Sequence, residues 1–261
     1  MVWQLRGRFD VAHPLYAVIR GGSVVGALWF QDEDLLMDVL PSDGLLLPQL
    51  LDASIEEARR AGSSRLQSEV ADDDTGRQAA FAAAGFSRIG PGGVRFERDL
   101  TLASHAPHPA GAGFRLRDCV GIDPEARAEV HRAPWSALEH IGISAASTFS
   151  ASDYLSLTTS GIYDPRFDIL AETAEGRLVA SATAWPDWAS GVAVFEPVGV
   201  HPEFRGGGLT AAVMTEAMAR LVAEGMRKGC VGTAHFNTAA IAAYAKAFDR
   251  AGSTSIWSRG L

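Results

Sequence analysis

Apolar residues recur along the chain with two periods, one typical of strands and one typical of helices. In residues 16–30 and 168–184, two apolar runs flank a short turn that contains glycine, so both segments predict β-hairpins. Large apolar side chains instead recur every three or four positions in residues 47–58 and 209–221, and a glycine soon follows each segment. These two segments predict amphipathic helices, and the alternation predicts an α/β fold with a mixed sheet.

The order of predicted elements repeats in the two halves of the chain. Each half contains a hairpin, a further strand, an amphipathic helix, another strand and a short helix. In the second half, the later elements are strands over residues 192–200 and 230–234 and a helix over residues 238–251. The repetition predicts an internal duplication of one α/β unit.

A segment rich in Pro, Gly, Ala and His, without apolar periodicity, separates the halves at residues 102–112. This composition is typical of a linker. We therefore predict one domain over residues 1–101 and a second over residues 113–261. A chain of 261 residues is long enough for each domain to bury a core of its own.

Composition narrows the classes of partner. The formal net charge of −8 argues against a nucleic-acid partner, because phosphate binding needs a concentrated basic face. The N-terminus has no apolar core of signal-peptide length, and no apolar run is long enough to span a membrane. Cys119 and Cys230 form neither a disulfide framework nor a CxxC metal motif. We therefore expect a cytoplasmic protein with no membrane partner and no metal; a homodimer is compatible with the sequence.

The segment most informative about chemistry is a strand, a glycine-rich turn and a helix, over residues 198–210. Three successive glycines allow a sharp turn and direct several backbone N–H groups into one concavity. The helix that follows adds its own unpaired N–H groups and the positive end of its dipole. This arrangement predicts an anion site that a diphosphate fits. On glycine content alone, a merely flexible turn is an equal alternative, and no GxGxxG motif is present.

The same segment resembles the acyl-CoA-binding motif of the GNAT superfamily of N-acetyltransferases, Arg/Gln-x-x-Gly-x-Gly/Ala. Arg205 and Gly208 match this motif, while Thr210 stands where Gly or Ala is usual. Downstream, Asn237 and Tyr244 belong to a run similar to the family's Asn-x-x-Ala-x-x-x-Tyr pattern. The string Phe-Glu-Pro-Val-Gly-Val-His-Pro that precedes the turn is similar to one branch of the family. The resemblance covers residues 113–253 and implies the GNAT fold for that region.

The first half resembles the same fold more faintly. Its Phe81-Ala-Ala-Ala-Gly-Phe86 run is similar to the family's Tyr-x-x-x-Gly-Phe ending, with Phe in place of Tyr. At the position of the phosphate loop, residues 41–48 contain one glycine, no arginine and an aspartate that would repel phosphate. We therefore predict two GNAT-like units in tandem, of which the first is a degenerate copy that supports the second.

The resemblance implies direct transfer of an acetyl group from acetyl-CoA, as co-substrate, to an amine of a small molecule or peptide. Glu196 is then the candidate base and Tyr244 the candidate general acid. The family places a backbone N–H of the central strand at the thioester oxygen, and those of Val198 and Val200 are the candidates here. The full set of predicted cofactor-binding residues is Val198, Val200, Arg205, Gly206, Gly207, Gly208, Leu209, Thr210 and Asn237.

Several alternatives stay open at this stage. Glu196 is equally interpreted as a strand-edge carboxylate paired with an arginine. The second unit runs one helical turn further to its final glycine than the first, so Phe248 could hold the position assigned to Tyr244. Asn237 serves as a helix N-cap, a contact to the coenzyme A arm, or both. His201 and His235 lie near the motifs, although a histidine after a strand is more often structural.

The acceptor and the acyl group are not specified by these motifs. Four aromatic residues lie where family members build the acceptor pocket: Trp135, Tyr163, Trp185 and Trp188. If several of them converge, the acceptor is partly apolar or cationic. A non-catalytic acyl-CoA-binding module and transfer of a longer acyl chain remain alternative functions.

Overall fold

The structure is a computed structural model that describes residues 14–102, 107–136, 138 and 146–261. Its described residues form a mixed α/β fold and divide into two compact units. The smaller unit comprises residues 14–94 and Gly252–Leu261, and the larger unit comprises the described part of Arg95–Ala251. No helix within the described residues has both the length and the apolar character needed to cross a membrane.

Strands and helices alternate along the chain. Up to residue 99 they are β1 (Leu15–Arg20), β2 (Ser23–Gln31), β3 (Asp34–Val39), α1 (Leu47–Arg60), β4 (Arg65–Ala71), α2 (Thr75–Ala83) and β5 (Ser87–Asp99). The later elements are β6 (Phe114–Asp118), α3 (Pro124–Trp135), α4 (Ala151–Thr158), β7 (Asp168–Thr173), β8 (Leu178–Asp187), β9 (Val192–Val200), α5 (Leu209–Ala223), β10 (Lys228–Ala234), α6 (Thr238–Tyr244) and β11 (Asp249–Gly260).

The smaller unit is built on the strand order β1-β2-β3-β4-β11-β5. The β1–β2 pair is the predicted hairpin. Of the predicted apolar stripe, α1 buries Leu47, Leu51, Ile55 and Ala58, and Leu50 is partly buried. The core of the unit consists of these side chains, the inward-facing residues of β2, β3 and β4, and the rings of Phe81 and Phe86. The helix forms because its apolar positions share one face, whose burial stabilises it more than its intrinsic propensity does.

The C-terminal segment differs from the sequence prediction. The helix predicted over residues 238–251 ends at Tyr244, and β11 begins at Asp249. Strand β11 pairs antiparallel with β4 along most of its length, and Trp257 packs edge-on against Phe81 in the core of the smaller unit. These backbone hydrogen bonds and this apolar contact make the strand more stable than a continuation of helix α6. The last ten residues therefore group with the smaller unit rather than with residues 113–251.

In the order of elements, a turn before α1 of the smaller unit corresponds to the glycine-rich turn before α5 of the larger unit. Residues Pro41–Leu46 form a 3₁₀ turn that leads into α1. The carboxylate of Asp43 is buried there, pairs with Arg20 at 2.7 Å and accepts a hydrogen bond from the Ser42 hydroxyl at 2.7 Å. The smaller unit thus presents an arginine-bound carboxylate where the larger unit presents three glycines.

The larger unit has the strand order β5-β10-β9-β8-β7-β6, with β9 and β10 parallel and β6 to β9 antiparallel. Helix α5 packs against β7, β8 and β9 and buries the predicted stripe, Leu209, Val213, Ala217 and Leu221. Its polar side carries a salt bridge of 2.9 Å between Glu216 and Arg220. Helix α3 begins at Pro124, with the N-cap Asp123 accepting a hydrogen bond from the backbone N–H of Ala126 at 2.9 Å.

Candidate active site

A pocket of about 500 Å³ lies in the larger unit where strands β9 and β10 separate. Their parallel pairing ends at Val194 and Cys230, and within the described chain no strand pairing joins them beyond that point. The following residues of both strands, 195–200 and 232–234, line the pocket instead. Separation of the two strands exposes backbone groups that a continuous sheet would pair.

Strand β9 is irregular at Glu196 and Pro197. Its register with β8 shifts so that Glu196 and Pro197 together lie opposite the single residue Thr183, which is a β-bulge. After the bulge, the backbone N–H of His201 donates to β8 at 2.8 Å. Because successive N–H groups of a strand point to opposite edges, those of Val198 and Val200 point away from β8, toward the pocket side.

The glycine-rich turn brings the N-terminus of α5 to the same pocket. Gly206 and Gly208 both have a φ of +83°, a conformation that side chains rarely adopt, and Gly208 is the N-cap of α5. The first helical bond runs from Ala212 N–H to the carbonyl of Gly208 at 3.1 Å. The N–H groups of the first helical turn, from Leu209 onward, therefore precede the helical hydrogen-bond ladder and can bind an anion.

Arg205 stabilises this turn through backbone carbonyl groups. Its Nη2 donates to the carbonyl of Pro134 at 3.1 Å, and its Nε donates to the carbonyl of Val200 at 3.4 Å. The side chain thus connects the turn to the end of α3 and to the end of β9. It also lines the pocket, so the guanidinium adds positive charge beside the helix N-terminus.

Helix α6 contributes two of the predicted residues. The side chain of Asn237 caps the helix by accepting a hydrogen bond from Ala240 N–H at 3.2 Å, and it also lines the pocket. Tyr244 is the last residue of the helix and packs edge-on against Phe96, with ring centroids 6.1 Å apart. Burial first, and the charge of Glu196 second, raise the pKa of the Tyr244 phenol to about 12. The phenol therefore stays protonated at neutral pH.

The structure places Tyr244, and not Phe248, on the pocket wall. Phe248 is buried and packs against the ring of Phe195, with centroids 5.3 Å apart. Among the predicted site residues, those that line the pocket are Glu196, Val198, Val200, Arg205, Gly206, Gly208, Leu209, Thr210, Asn237 and Tyr244. Gly207 is not one of the lining residues, and a Cβ placed there would meet no atom closer than 3.7 Å.

Residues 135–249 match the family model of the Acetyltransferase (GNAT) family. The matched segment contains the separated strands, the glycine-rich turn and α6. Residues 135–249 are a GNAT-family domain. Within the described residues, no group of three or more His, Cys, Asp or Glu side chains of this domain or of the smaller unit is placed to hold a metal ion.

Solved structures show the same fold over the whole chain. A GCN5-related N-acetyltransferase from Sphaerobacter thermophilus is 19% identical, with a TM-score of 0.66 over 97% of this chain and 82% of that one. A tandem GNAT protein from the clavulanic acid biosynthesis pathway is 21% identical, with a TM-score of 0.67 over 99% and 87%. FemX is 12% identical, with a TM-score of 0.63 over 100% and 94%. The chain therefore has a tandem GNAT fold. No curated protein sequence matches it significantly.

A second pocket of the GNAT domain, of about 470 Å³, shares Glu196 with the first. Trp185 and Trp188 line this second pocket, and the Trp185 indole N–H donates to the backbone carbonyl of Glu196. Trp135 instead lines the first pocket, and Tyr163 lines neither. The four predicted aromatic residues are therefore divided between two pockets and a buried cluster.

Gly199 has a packing role that the sequence did not indicate. A Cβ at this position would lie 2.3 Å from Cζ3 of Trp135 and 2.8 Å from Cγ of Pro134. Only glycine allows the end of α3 to approach β9 this closely. The same approach places the Pro134 carbonyl within reach of Arg205, so Gly199 contributes indirectly to the position of the turn.

A buried ionic cluster lies behind the second pocket. Arg127 forms two hydrogen bonds to Asp168, of 2.8 and 3.0 Å, and Thr183 and Tyr163 each donate to the same carboxylate at 2.9 Å. Burial alone would lower the pKa of Arg127, but the charge of Asp168 outweighs it and raises the pKa. The ring of Tyr163 also packs against the ring of Trp185, with centroids 5.8 Å apart. The cluster therefore holds in place the indole of Trp185, which lines the second pocket.

The two candidate histidines lie outside both pockets. Nδ1 of His201 accepts a hydrogen bond from the backbone N–H of Glu203 at 3.3 Å, and its Nε2 lies 2.8 Å from Nη2 of Arg177. His201 therefore caps the 3₁₀ turn that precedes the glycines. His235 packs edge-on against Phe236, with centroids 5.3 Å apart.

Proposed function

We propose that the GNAT domain transfers an acetyl group from acetyl-CoA to an amine of a small molecule or peptide by direct attack. The observation that carries the proposal is that one pocket joins the anion-binding start of α5, the outward N–H groups of β9, Glu196 and Tyr244. The family match and the fold support acyl transfer in general. The acetyl group and the amine acceptor are proposed here in addition.

The first requirement is to hold the diphosphate of coenzyme A. The first-turn N–H groups of α5 and the Arg205 guanidinium supply positive electrostatic potential at one end of the pocket. A Cβ at Gly206 or Gly208 would meet no protein atom within 4 Å, so the space beside the turn is open to a ligand. The residues present therefore fit a diphosphate.

The second requirement is to activate the amine. An alkyl amine with a pKa near 10 is only about one part in a thousand neutral at pH 7, so a proton acceptor accelerates attack. The carboxylate of Glu196 borders both pockets and can accept that proton, directly or through water. The proton of the ammonium form passes from Glu196 to solvent, and the neutral amine then forms the new C–N bond. The nitrogen gives its second proton to Glu196 as the amide forms.

The third requirement is to stabilise the thioester oxygen and the leaving sulfur. Acetyl-CoA supplies the activated thioester, and the N–H groups of Val198 and Val200 are directed to the side where its carbonyl oxygen would gain charge. The C–S bond breaks as Tyr244 gives its proton to the sulfur. The products are an acetamide and coenzyme A thiol, and the proton taken up at Glu196 returns to Tyr244 through solvent.

Release of free thiol from acetyl-CoA, measured with a panel of amines, tests the proposal, with mass detection of the acetylated amine. We expect thiol release that depends on the amine and falls sharply in Glu196→Gln. Tight acetyl-CoA binding without transfer to any amine would instead indicate a non-catalytic acyl-CoA-binding module. Faster transfer from a longer acyl-CoA would contradict the choice of acetyl group.

A further inference from the structure

We propose that the second pocket selects an amine carried on a small apolar body without an anionic group next to the nitrogen. This inference rests on the proposed function, because it assigns the second pocket to the acceptor of the same reaction. Within the described residues, Glu196 is the one residue that lines both pockets. A nitrogen held at its carboxylate in the second pocket therefore borders the end of the first pocket formed by β9.

The walls of the second pocket are apolar and partly aromatic. Trp185 lies opposite Val194 in the β8–β9 pair, and Ile162, Val192 and Trp188 add further apolar surface to the lining. Ile162, Val194 and Trp188 are 48%, 44% and 54% exposed, so their apolar surface is available to a ligand. Exposed apolar surface gathered in one concave site is typical of ligand-binding pockets.

The aromatic walls have fixed positions. The indole of Trp185 is held by its hydrogen bond to the Glu196 carbonyl and by its packing on Tyr163. Trp188 packs against Phe167 with ring centroids 6.0 Å apart. Rigid indole faces bind both a flat apolar group and an ammonium group without a large loss of conformational entropy.

The charge of the pocket has one sign. Asp187 and Glu196 are acidic, and none of the described lining residues is Lys, Arg or His. Hydrogen bonds from Ser190 and from Ala189 N–H lower the pKa of Asp187, so its carboxylate is charged at neutral pH. An ammonium group is attracted to this site, whereas the carboxylate of an α-amino acid would meet two like charges and no cationic side chain among the described lining residues.

The volume limits the size of the acceptor. A pocket of about 470 Å³ is of the size that holds one small molecule. A linear polyamine has the right charge but too little apolar surface for these walls. The chemistry of the site thus favours a hydrophobic monoamine over an amino acid, a polyamine or a bulky peptide.

Equilibrium binding tests this assignment separately from turnover. Phenethylamine, phenylalanine and spermidine are titrated calorimetrically into the full chain saturated with coenzyme A, which carries no acetyl group to transfer. Phenethylamine and phenylalanine differ only in the carboxylate. We expect phenethylamine to bind at least about tenfold more tightly than phenylalanine, and more tightly than spermidine.

The Val194→Lys variant places a positive charge inside the pocket, and Val24→Lys is its matched control on an exposed strand position of the smaller unit. We expect Val194→Lys to weaken phenethylamine binding about tenfold or more and Val24→Lys to leave it unchanged, with coenzyme A affinity intact in both. Equal binding of phenethylamine and phenylalanine, no binding of phenethylamine, or an unaffected Val194→Lys would overturn the assignment. Selective binding without acetyl transfer would support it and contradict the proposed function alone.

Discussion

The carboxylate of Glu196 and the phenol of Tyr244 border the same pocket, one on β9 and the other at the end of α6. After burial, the charge of Glu196 is the second cause of the raised pKa of Tyr244. The phenol therefore keeps its proton at neutral pH and is the proton donor of the pair, and the Glu196 carboxylate is the proton acceptor. This pairing suits the two proton transfers of amine acetylation.

Removal of the Tyr244 hydroxyl is expected to affect turnover and not cofactor binding. Tyr244→Phe keeps the ring and its contact with Phe96 but removes the proton donor, so kcat should fall about 100-fold. The dissociation constant of acetyl-CoA, measured by calorimetry, should remain unchanged. Tyr16→Phe is the control, because that hydroxyl bonds to Glu57 in the smaller unit. Equal kcat values in Tyr244→Phe and wild type would exclude the tyrosine as general acid.

The raised pKa of Tyr244 also predicts how stability changes in alkali. The unfolded chain ionises its tyrosines near the ordinary pKa of 10.0, whereas the folded protein holds this proton up to about pH 12. The stabilisation is therefore complete below pH 10 and is lost as the pH rises toward 12. Tyr244→Phe should lose about 3 kcal/mol less unfolding free energy than wild type over this window. Urea unfolding at several pH values measures the difference; parallel curves would contradict burial of the phenol.

Gly199 is expected to be sensitive to a single methyl group. Gly199→Ala places Cβ 2.3 Å from the Trp135 ring, so the end of α3 must move. We expect a loss of about 1–3 kcal/mol in unfolding free energy, measured in urea. Gly44→Ala is the matched control, because its Cβ would meet nothing within 4 Å. A Gly199→Ala protein as stable as Gly44→Ala would show that the described packing is wrong.

The buried ion pair is expected to matter far more than an exposed one on the same strand. Asp168→Asn leaves the Arg127 guanidinium buried without its counter-charge, which should cost about 3–5 kcal/mol of unfolding free energy. Glu172→Gln, which removes the partner of the exposed Arg115, should cost less than about 1 kcal/mol. Similar losses in the two variants would argue against a desolvated pair.

Local signals in the sequence predicted the elements that carry the site. The glycine-rich turn, the start of α5 and the cap at Asn237 depend on neighbouring residues, so their positions follow from spacing. The structure confirms the expected α/β fold and tandem GNAT arrangement. Helix α4 was also predictable in principle, because Ser150 and Asp153 form a capping box.

Features that depend on distant partners could not be predicted in this way. Strand β11 has few apolar residues, and it exists because β4 and Phe81 lie beside it. Arg127 and Asp168 lie 41 positions apart, and no spacing rule joins them. The second pocket is formed by residues of β8 and β9 that lie side by side in the fold. Its two acidic side chains, Asp187 and Glu196, are therefore seen to share one site only in the structure.

Binding of acetyl-CoA to a variant of Thr210 tests the central claim most directly. Thr210 is the second residue of α5. An acidic side chain there interacts favourably with the helix dipole, so the helix stays stable, but it would repel a diphosphate at the turn. A substitution at Gly208 would also strain the backbone, because its φ of +83° is unfavourable for any other residue. A substitution at Thr210 changes the charge without that strain. Thr75→Glu, at the exposed first residue of α2, is the matched control.

Calorimetric titration should show Thr210→Glu binding acetyl-CoA at least about tenfold more weakly than wild type, with Thr75→Glu unchanged and all three proteins equally stable. Equal affinity of Thr210→Glu and wild type would contradict diphosphate binding at the start of α5, and with it the proposed acetyltransferase.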